Sequence, residues 1–206
     1  MDATNAIFYI AILIMSVVIH EVSHGFMARH FGDQTAYLAG RLTLNPFRHL
    51  DLFGSVLLPA ILVLTNSPFL IGWAKPVPYN PNNFKNKKMG TIAVAAAGVL
   101  ANLFIAVFFG LILRFSVGLN APEGFYLIIS SIVIVNLALA IFNLVPIPPL
   151  DGSKILFNLL PPSFYNAIAV IERYSLVFII IFLVFLSNYL VPVLTFLYKV
   201  ITGFSL

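Results

Sequence analysis

The sequence predicts an all-α polytopic membrane protein: a three-helix core joined by a re-entrant hairpin, a small β-hairpin and one or two C-terminal helices. Three observations carry this expectation. Of 206 residues, 61% are hydrophobic and only 9% are charged, far from the balance of a soluble domain. Several apolar stretches are long enough to span a hydrocarbon layer of roughly 30 Å. Lys and Arg gather in the short segments between those stretches, as they do at a cytoplasmic membrane surface. The pI of about 9.4 therefore points to the lipid bilayer as partner and not to nucleic acid, because few aromatics accompany the basic residues. The length suits a single domain over residues 1–206.

Taken in order, the apolar stretches cover about 3–31, 52–73, 91–115, 125–145 and 174–201. The first has no basic residue ahead of it and no small-residue cleavage site, so it is expected to stay as a helix. Its first positive charge, Arg29, follows the apolar run, which puts the N-terminus outside and Arg29 inside. Between the first two stretches, Tyr37-Leu38-Ala39-Gly40-Arg41-Leu42-Thr43-Leu44 has β-type composition around a glycine and predicts a short hairpin.

The second stretch is interrupted by Pro59, Asn66, Ser67 and Pro68 and is basic on both flanks, which predicts a re-entrant segment. Charge supports this. With a re-entrant second stretch, every Lys and Arg except Arg114 and Lys199 lies inside. A full crossing would leave only Arg29, Arg41, Arg48, Arg114 and Lys199 there. The segment Lys75-Pro76-Val77-Pro78-Tyr79-Asn80-Pro81 is too rich in proline for a helix and is expected to be an extended loop or edge strand. The last stretch is interrupted by Ser187-Asn188-Tyr189 and Pro192, leaving one kinked span or a span plus a half-helix open.

The chemistry begins at His20-Glu21-Val22-Ser23-His24. Two histidines four apart on a helix share a face and can reach one ion. Glu21 lies on an adjacent face, placed to act as a base on water activated by that ion. With four His in the chain, shuffling would produce H-E-x-x-H about once in a thousand such chains. Ionisable side chains within an apolar span are costly, about 2.5 to 3.5 kcal/mol each even on lenient scales. Isolated membrane histidines more often serve interhelical hydrogen bonds, but a cluster of three such residues favours function.

A catalytic zinc usually has three protein ligands and one open position, and the chain has no cysteines. A third ligand must come from the remaining carboxylates or from His30 or His49. Asp33 follows the first helix end, Asp51 borders the second stretch, and Glu123 falls in an outside loop. Asp151 is the best candidate. It closes Asn143-Leu144-Val145-Pro146-Ile147-Pro148-Pro149-Leu150-Asp151-Gly152, where prolines stop a helix and glycine allows a tight turn. The alternative is that Asp151 only caps the following segment. Re-entrant topology places Asp151 and the His20 to His24 turn at one depth and on one side.

Together these residues resemble the site-2 protease family of intramembrane zinc metalloproteases, and among them the short prokaryotic members without a PDZ or CBS domain. The resemblance rests on the complete H-E-x-x-H and N-x-x-P-x-P-x-x-D-G motifs, with Gly40-Arg41-Leu42-Thr43-Leu44-Asn45-Pro46 and Gly72-Trp73-Ala74-Lys75-Pro76-Val77-Pro78 in support. It implies a catalytic three-helix core with one zinc ion on His20, His24 and Asp151, Glu21 as catalytic base, and Asn143 positioning substrate or stabilising the oxyanion. A third family feature, A-G-P-x-x-N, is present as Ala97-Gly98-Val99-Leu100-Ala101-Asn102, with Val99 in place of proline. Asn102 is thus a candidate for positioning substrate or for helix packing.

The expected activity is that of an intramembrane zinc endopeptidase cutting in or near transmembrane segments of membrane-protein substrates, as in regulated intramembrane proteolysis. The expected location is the cell membrane, multi-pass, with the active site toward the cytoplasmic side and room for a homo-oligomer or a regulatory membrane partner. Substrate could be held extended against the 37–44 hairpin or the 75–81 segment, or those segments could form a buried plug. Two rival classes remain at this level: a membrane metal-binding or transport protein, and an inactive scaffold that binds transmembrane segments.

Overall fold

The computed structural model describes residues 3–57, 61, 65, 74–116 and 121–206. Its described elements are helical, and no strand occurs among the described residues. Four helices are long and apolar enough to cross a membrane. The first is α1 (Ala3–His30). The others are α3 (Lys87–Phe115), α4 (Glu123–Asn143) and the continuous stretch Ser175–Thr202.

Helix α3 is the centre of the bundle, packing against α1, α4 and the C-terminal span. Its sequence explains this. Gly90, Val94, Ala95, Ala97, Gly98, Asn102, Ala106 and Gly110 are buried along it, and small residues let helix backbones approach closely where lipid offers no hydrophobic drive. A Cβ on Gly110 would lie 2.4 Å from Ile201 Cγ2 in the C-terminal span. Around that contact Ala106, Leu113, Ile129, Val133, Leu137 and Tyr198 form an apolar core, and the hydroxyls of Ser130 and Tyr198 pair at 2.7 Å.

The C-terminal span resolves the alternative left open by its sequence. It is one 28-residue span, composed of α7 (Ser175–Ile181), an irregular π turn (Phe182–Leu186), a 3-10 turn (Ser187–Tyr189) and α8 (Leu190–Thr202). Pro192 falls in the first turn of α8, where a missing N–H is tolerated. Arg114 Nη1 donates to the carbonyl of Val200 at 3.0 Å, a cation at a helix C-terminus.

Helix α1 is capped by Gly32, with φ +107°. Asp33 N–H donates to Ala28 O and Gly32 N–H to Arg29 O, the double bond of a Schellman cap. A short helix α2 (Thr35–Leu38) follows, where a β-hairpin was expected. The reason is a second cap of the same kind. Gly40, at φ +64°, donates to Tyr37 O while Arg41 N–H donates to Ala36 O at 2.9 Å. The glycine that resembled a hairpin turn is a helix C-cap.

Residues 74–80 form an extended strap whose hydrogen bonds go to side chains and turns, not to a strand. Lys75 N–H donates to His49 O at 2.8 Å. These two residues flank the predicted re-entrant stretch, so the chain leaves and returns at one end of the bundle. Between them Leu52–Leu57 forms a π-helical turn, and Pro59, Asn66, Ser67, Pro68, Gly72 and Trp73 lie outside the described residues. Beyond α4, a proline-rich turn containing a cis Pro148-Pro149 bond leads into α5 (Asp151–Leu159), which packs on α3. Amphipathic α6 (Tyr165–Arg173) then leads to the last span.

Candidate active site

His20 and His24 are buried, at 6% and 7% exposure, on the face of α1 turned toward α3. Their rings stand edge to face, 4.5 Å apart between centroids. Gly98 of α3 makes room for them. A Cβ there would lie 2.6 Å from Cε1 of each ring, closer than real Cβ contacts come.

Each ring has its outer nitrogen engaged. His24 Nδ1 lies 2.6 Å from the backbone carbonyl of Val94. A carbonyl can only accept, so the proton sits on Nδ1 and the lone pair on Nε2. His20 Nδ1 lies 2.6 Å from Asn102 Oδ1. Hydrogen-bonded outer nitrogens of this kind orient metal-binding histidines.

Both Nε2 atoms face Asp151. Its Oδ2 is 3.1 Å from each of them, although Asp151 is 131 residues from His20 in the chain. The turn after α4 delivers it, and Gly152 is needed there: a Cβ would come 2.1 Å from the carbonyl oxygen of Leu144. This is a close-approach requirement and not one of positive φ. The N-cap of α5 is Leu150, with no side-chain cap bond, so Asp151 is not a cap.

The other carboxylate oxygen, Oδ1, accepts from Lys154 Nζ at 3.0 Å. Burial works against charge on both groups, yet each holds the other ionised. The Lys154 ammonium is raised chiefly by the charge of Asp151.

Two nitrogen lone pairs and an anionic oxygen converging on one point suit a cation between them. Zinc bonds of about 2.0–2.2 Å in tetrahedral geometry separate ligand atoms by about 3.3 Å, near the 3.1 Å found here. The donor set therefore fits zinc. Glu21 offers a carboxylate oxygen within 4.8 Å of ligand nitrogens of both histidines, but it is tethered outward. Its Oε2 accepts the backbone N–H of Val77 at 2.8 Å.

The strap that carries Val77 is fastened along its length. Arg41, 8% exposed, donates through Nη2 to the carbonyl of Lys75 at 2.7 Å. Asp33 is fully buried and accepts from Asn80 N–H, Asn83 Nδ2, and both Thr35 N–H and Thr35 Oγ1. Burial alone would push its carboxyl up, but these donors hold it below the ordinary value. Pro76, Pro78 and Pro81 have no N–H, and those of Lys75, Val77 and Asn80 are engaged. The strap is thus poor in donors for strand addition.

The sequence-predicted residues divide clearly. His20, Glu21, His24, Asp151 and Asn102 come together. Asn143 ends α4 with its Nδ2 donating to Leu139 O at 2.9 Å and shares no hydrogen bond with them. Asp33 and His49 serve other bonds, His49 Nε2 meeting Thr43 O at 2.8 Å, while His30, Glu123 and Glu172 are exposed. Lys154, Asn136 and the Val77 amide were not anticipated. Asn136 was detectable as a polar residue within an apolar span; the other two had no sequence signal beyond the i,i+3 spacing of Lys154 from Asp151.

Four membrane-crossing helices around an H-E-x-x-H turn completed by a distant carboxylate define a membrane metalloprotease. The sequence profile of peptidase family M50 matches residues 120–187. The chain is 39% identical to the candidate zinc metalloprotease YwhC of Bacillus subtilis, over 86% of this chain and 80% of that protein. It is 30% identical to the candidate zinc metalloprotease Rip2 of Mycolicibacterium smegmatis, over 86% of this chain and 67% of that one. Rip2 of Mycobacterium tuberculosis is also 30% identical, with 82% and 63% covered. No solved structure matches the chain significantly. The chain belongs to peptidase family M50, and by class it is a membrane zinc metalloprotease.

Proposed function

We propose that this protein is an intramembrane endopeptidase that hydrolyses peptide bonds in or near transmembrane segments of other membrane proteins, using one zinc ion held by His20, His24 and Asp151. The observation that carries this reading is the approach of Asp151 Oδ2 to both Nε2 atoms at 3.1 Å within a bundle of membrane-length helices. Bound zinc supplies a Lewis acid that lowers the pKa of water and polarises a carbonyl. Glu21 takes the proton of the attacking water and delivers it to the leaving amine. Val77 N–H holds the second oxygen of Glu21, fixing the direction of the first. Asn143 keeps one amide N–H beyond its bond to Leu139 and offers it to the developing oxyanion.

A helical substrate hides its peptide bonds, so it must unwind before it reaches Glu21. The strap forms a fixed wall for that site, because its own N–H groups are largely engaged. Lys and Arg concentrate at the end of the bundle reached by the C-terminus of α1, which supports an orientation with the N-terminus outside the cell membrane and the site toward the cytoplasm.

Cleavage of a model transmembrane substrate by purified protein in detergent tests the reading. Activity should require zinc, return on adding zinc after chelation, and fall by roughly 100- to 10,000-fold in Glu21→Gln. Activity that survives Glu21→Gln or a strong chelator would overturn it. Zinc flux into liposomes sustained by Glu21→Gln would favour a transporter instead.

A further inference from the structure

Behind His20, three buried polar residues from three helices form a chain of hydrogen bonds that the peptidase chemistry does not itself use. Asn102 and Asn136 are fully buried and Ser16 is 4% exposed. Asn102 Nδ2 donates to Asn136 Oδ1 at 2.8 Å. Asn136 Nδ2 donates to the backbone carbonyl of Ile132 at 2.9 Å and to Ser16 Oγ at 2.9 Å. His20 Nδ1 meets Asn102 Oδ1 at the near end, at 2.6 Å.

The direction of this chain is set from its far end. A side-chain amide can be turned over, exchanging its oxygen and nitrogen, and a hydroxyl can serve as donor or acceptor. Ile132 O can do neither, because a carbonyl only accepts. It therefore requires Asn136 to present Nδ2 on that side and Oδ1 toward Asn102. Asn136 Oδ1 in turn requires Nδ2 of Asn102, which leaves Asn102 Oδ1 for His20. An acceptor facing Nδ1 places the proton there and the lone pair on Nε2. Asn102 Nδ2 also points at Ser16 O, but at 3.4 Å, beyond the usual 2.7–3.2 Å range. The stronger anchor is Asn136.

We propose that Asn136 is a positioning residue for the metal site, fixing the amide of Asn102 so that its oxygen faces His20 Nδ1 and His20 Nε2 is left free for the metal. The proposal rests on the reading of His20 as a zinc ligand. His24 needs no such device, since Val94 O performs the same service directly. Asymmetry between the two histidines follows: the geometry of one depends on the backbone of α3, that of the other on a side chain of α4.

The test uses zinc affinity, measured by chelator competition, and the 1H–15N signal of the His20 Nδ1–H in zinc-loaded protein. In Asn136→Leu, zinc affinity should fall by roughly 10- to 100-fold, and the Nδ1–H resonance should move upfield and exchange faster. Ser16→Ala, which leaves Ile132 O as anchor, should retain the wild-type resonance. A carboxylate at position 102 has no nitrogen to misplace, so Asn102→Asp should make affinity insensitive to a second change, Asn136→Leu. A residue needed only for packing would show no such rescue. Should Asn136→Leu not fold, Asn136→Gln shifts the amide by one methylene and is read the same way. Wild-type affinity and resonance in these Asn136 variants would overturn the proposal while leaving the peptidase reading intact. Zinc binding without substrate cleavage by the wild type would do the reverse.

Discussion

Gly98 has no side chain, yet the two imidazoles depend on it. Its replacement by alanine would place a methyl group 2.6 Å from both rings, and a ring pushed off its carbonyl or amide partner loses the aim of its Nε2. Gly98→Ala should lower zinc affinity by at least about 10-fold while the helical circular dichroism signal is retained; zinc content after dialysis is the measurement. At this scale the convergence of the candidate ligands was legible in sequence because metal chemistry restricts them to few residue types, and a cysteine-free chain offers few candidates. Their supporting partners were less so. Val94 contributes a carbonyl and Val77 an amide, groups that every non-proline residue has, and only helix rotation and strap placement select them. Lys154 became visible only once α5 was seen to start at Asp151.

The strap and the caps that hold it belong to the next scale. Asp33 joins the end of α1 to residues 80–83 and so holds Val77 against Glu21. Asp33→Asn should destabilise the protein by about 1–3 kcal/mol through donors left without a good acceptor. Because the folded carboxyl is held below its ordinary value near 3.8, its contribution is fully present above the unfolded pKa and is lost as pH falls through the folded one. Melting temperatures of wild type and Asp33→Asn should thus differ at neutral pH and converge as pH falls from the ordinary carboxyl value through the lower folded one. Element-level legibility was mixed. The long spans were plain from apolar length, but where a hairpin was predicted over 37–44 a short helix, Thr35–Leu38, ends in a glycine cap and leads into irregular chain. Glycine with φ > 0 serves both hairpin turns and helix C-caps, and only the Arg41 to Ala36 bond distinguishes them. Whether the last stretch was one span or two depended on how far the chain tolerates π and 3-10 turns near Pro192, which composition does not encode.

For the whole molecule, charge distribution and metal geometry converge on one topology. The positive-inside count predicted that α1 and α4 deliver their motifs to the same side, and Asp151 does reach both histidines. The chain has no cysteines, so single cysteines report cleanly on sidedness. Lys88→Cys should react with an impermeant thiol reagent only from the cytoplasmic face and Lys199→Cys only from the outer face; reaction of both from one side would refute the orientation. We propose that two motifs more than a hundred residues apart hold a single zinc. X-ray absorption at the zinc edge of the purified protein tests it most directly, comparing wild type with Asp151→Ala. Stoichiometric zinc with imidazole nitrogen and carboxylate oxygen neighbours in the wild type, lost or altered in the variant, is the predicted result. Zinc held with unchanged coordination in Asp151→Ala would contradict it.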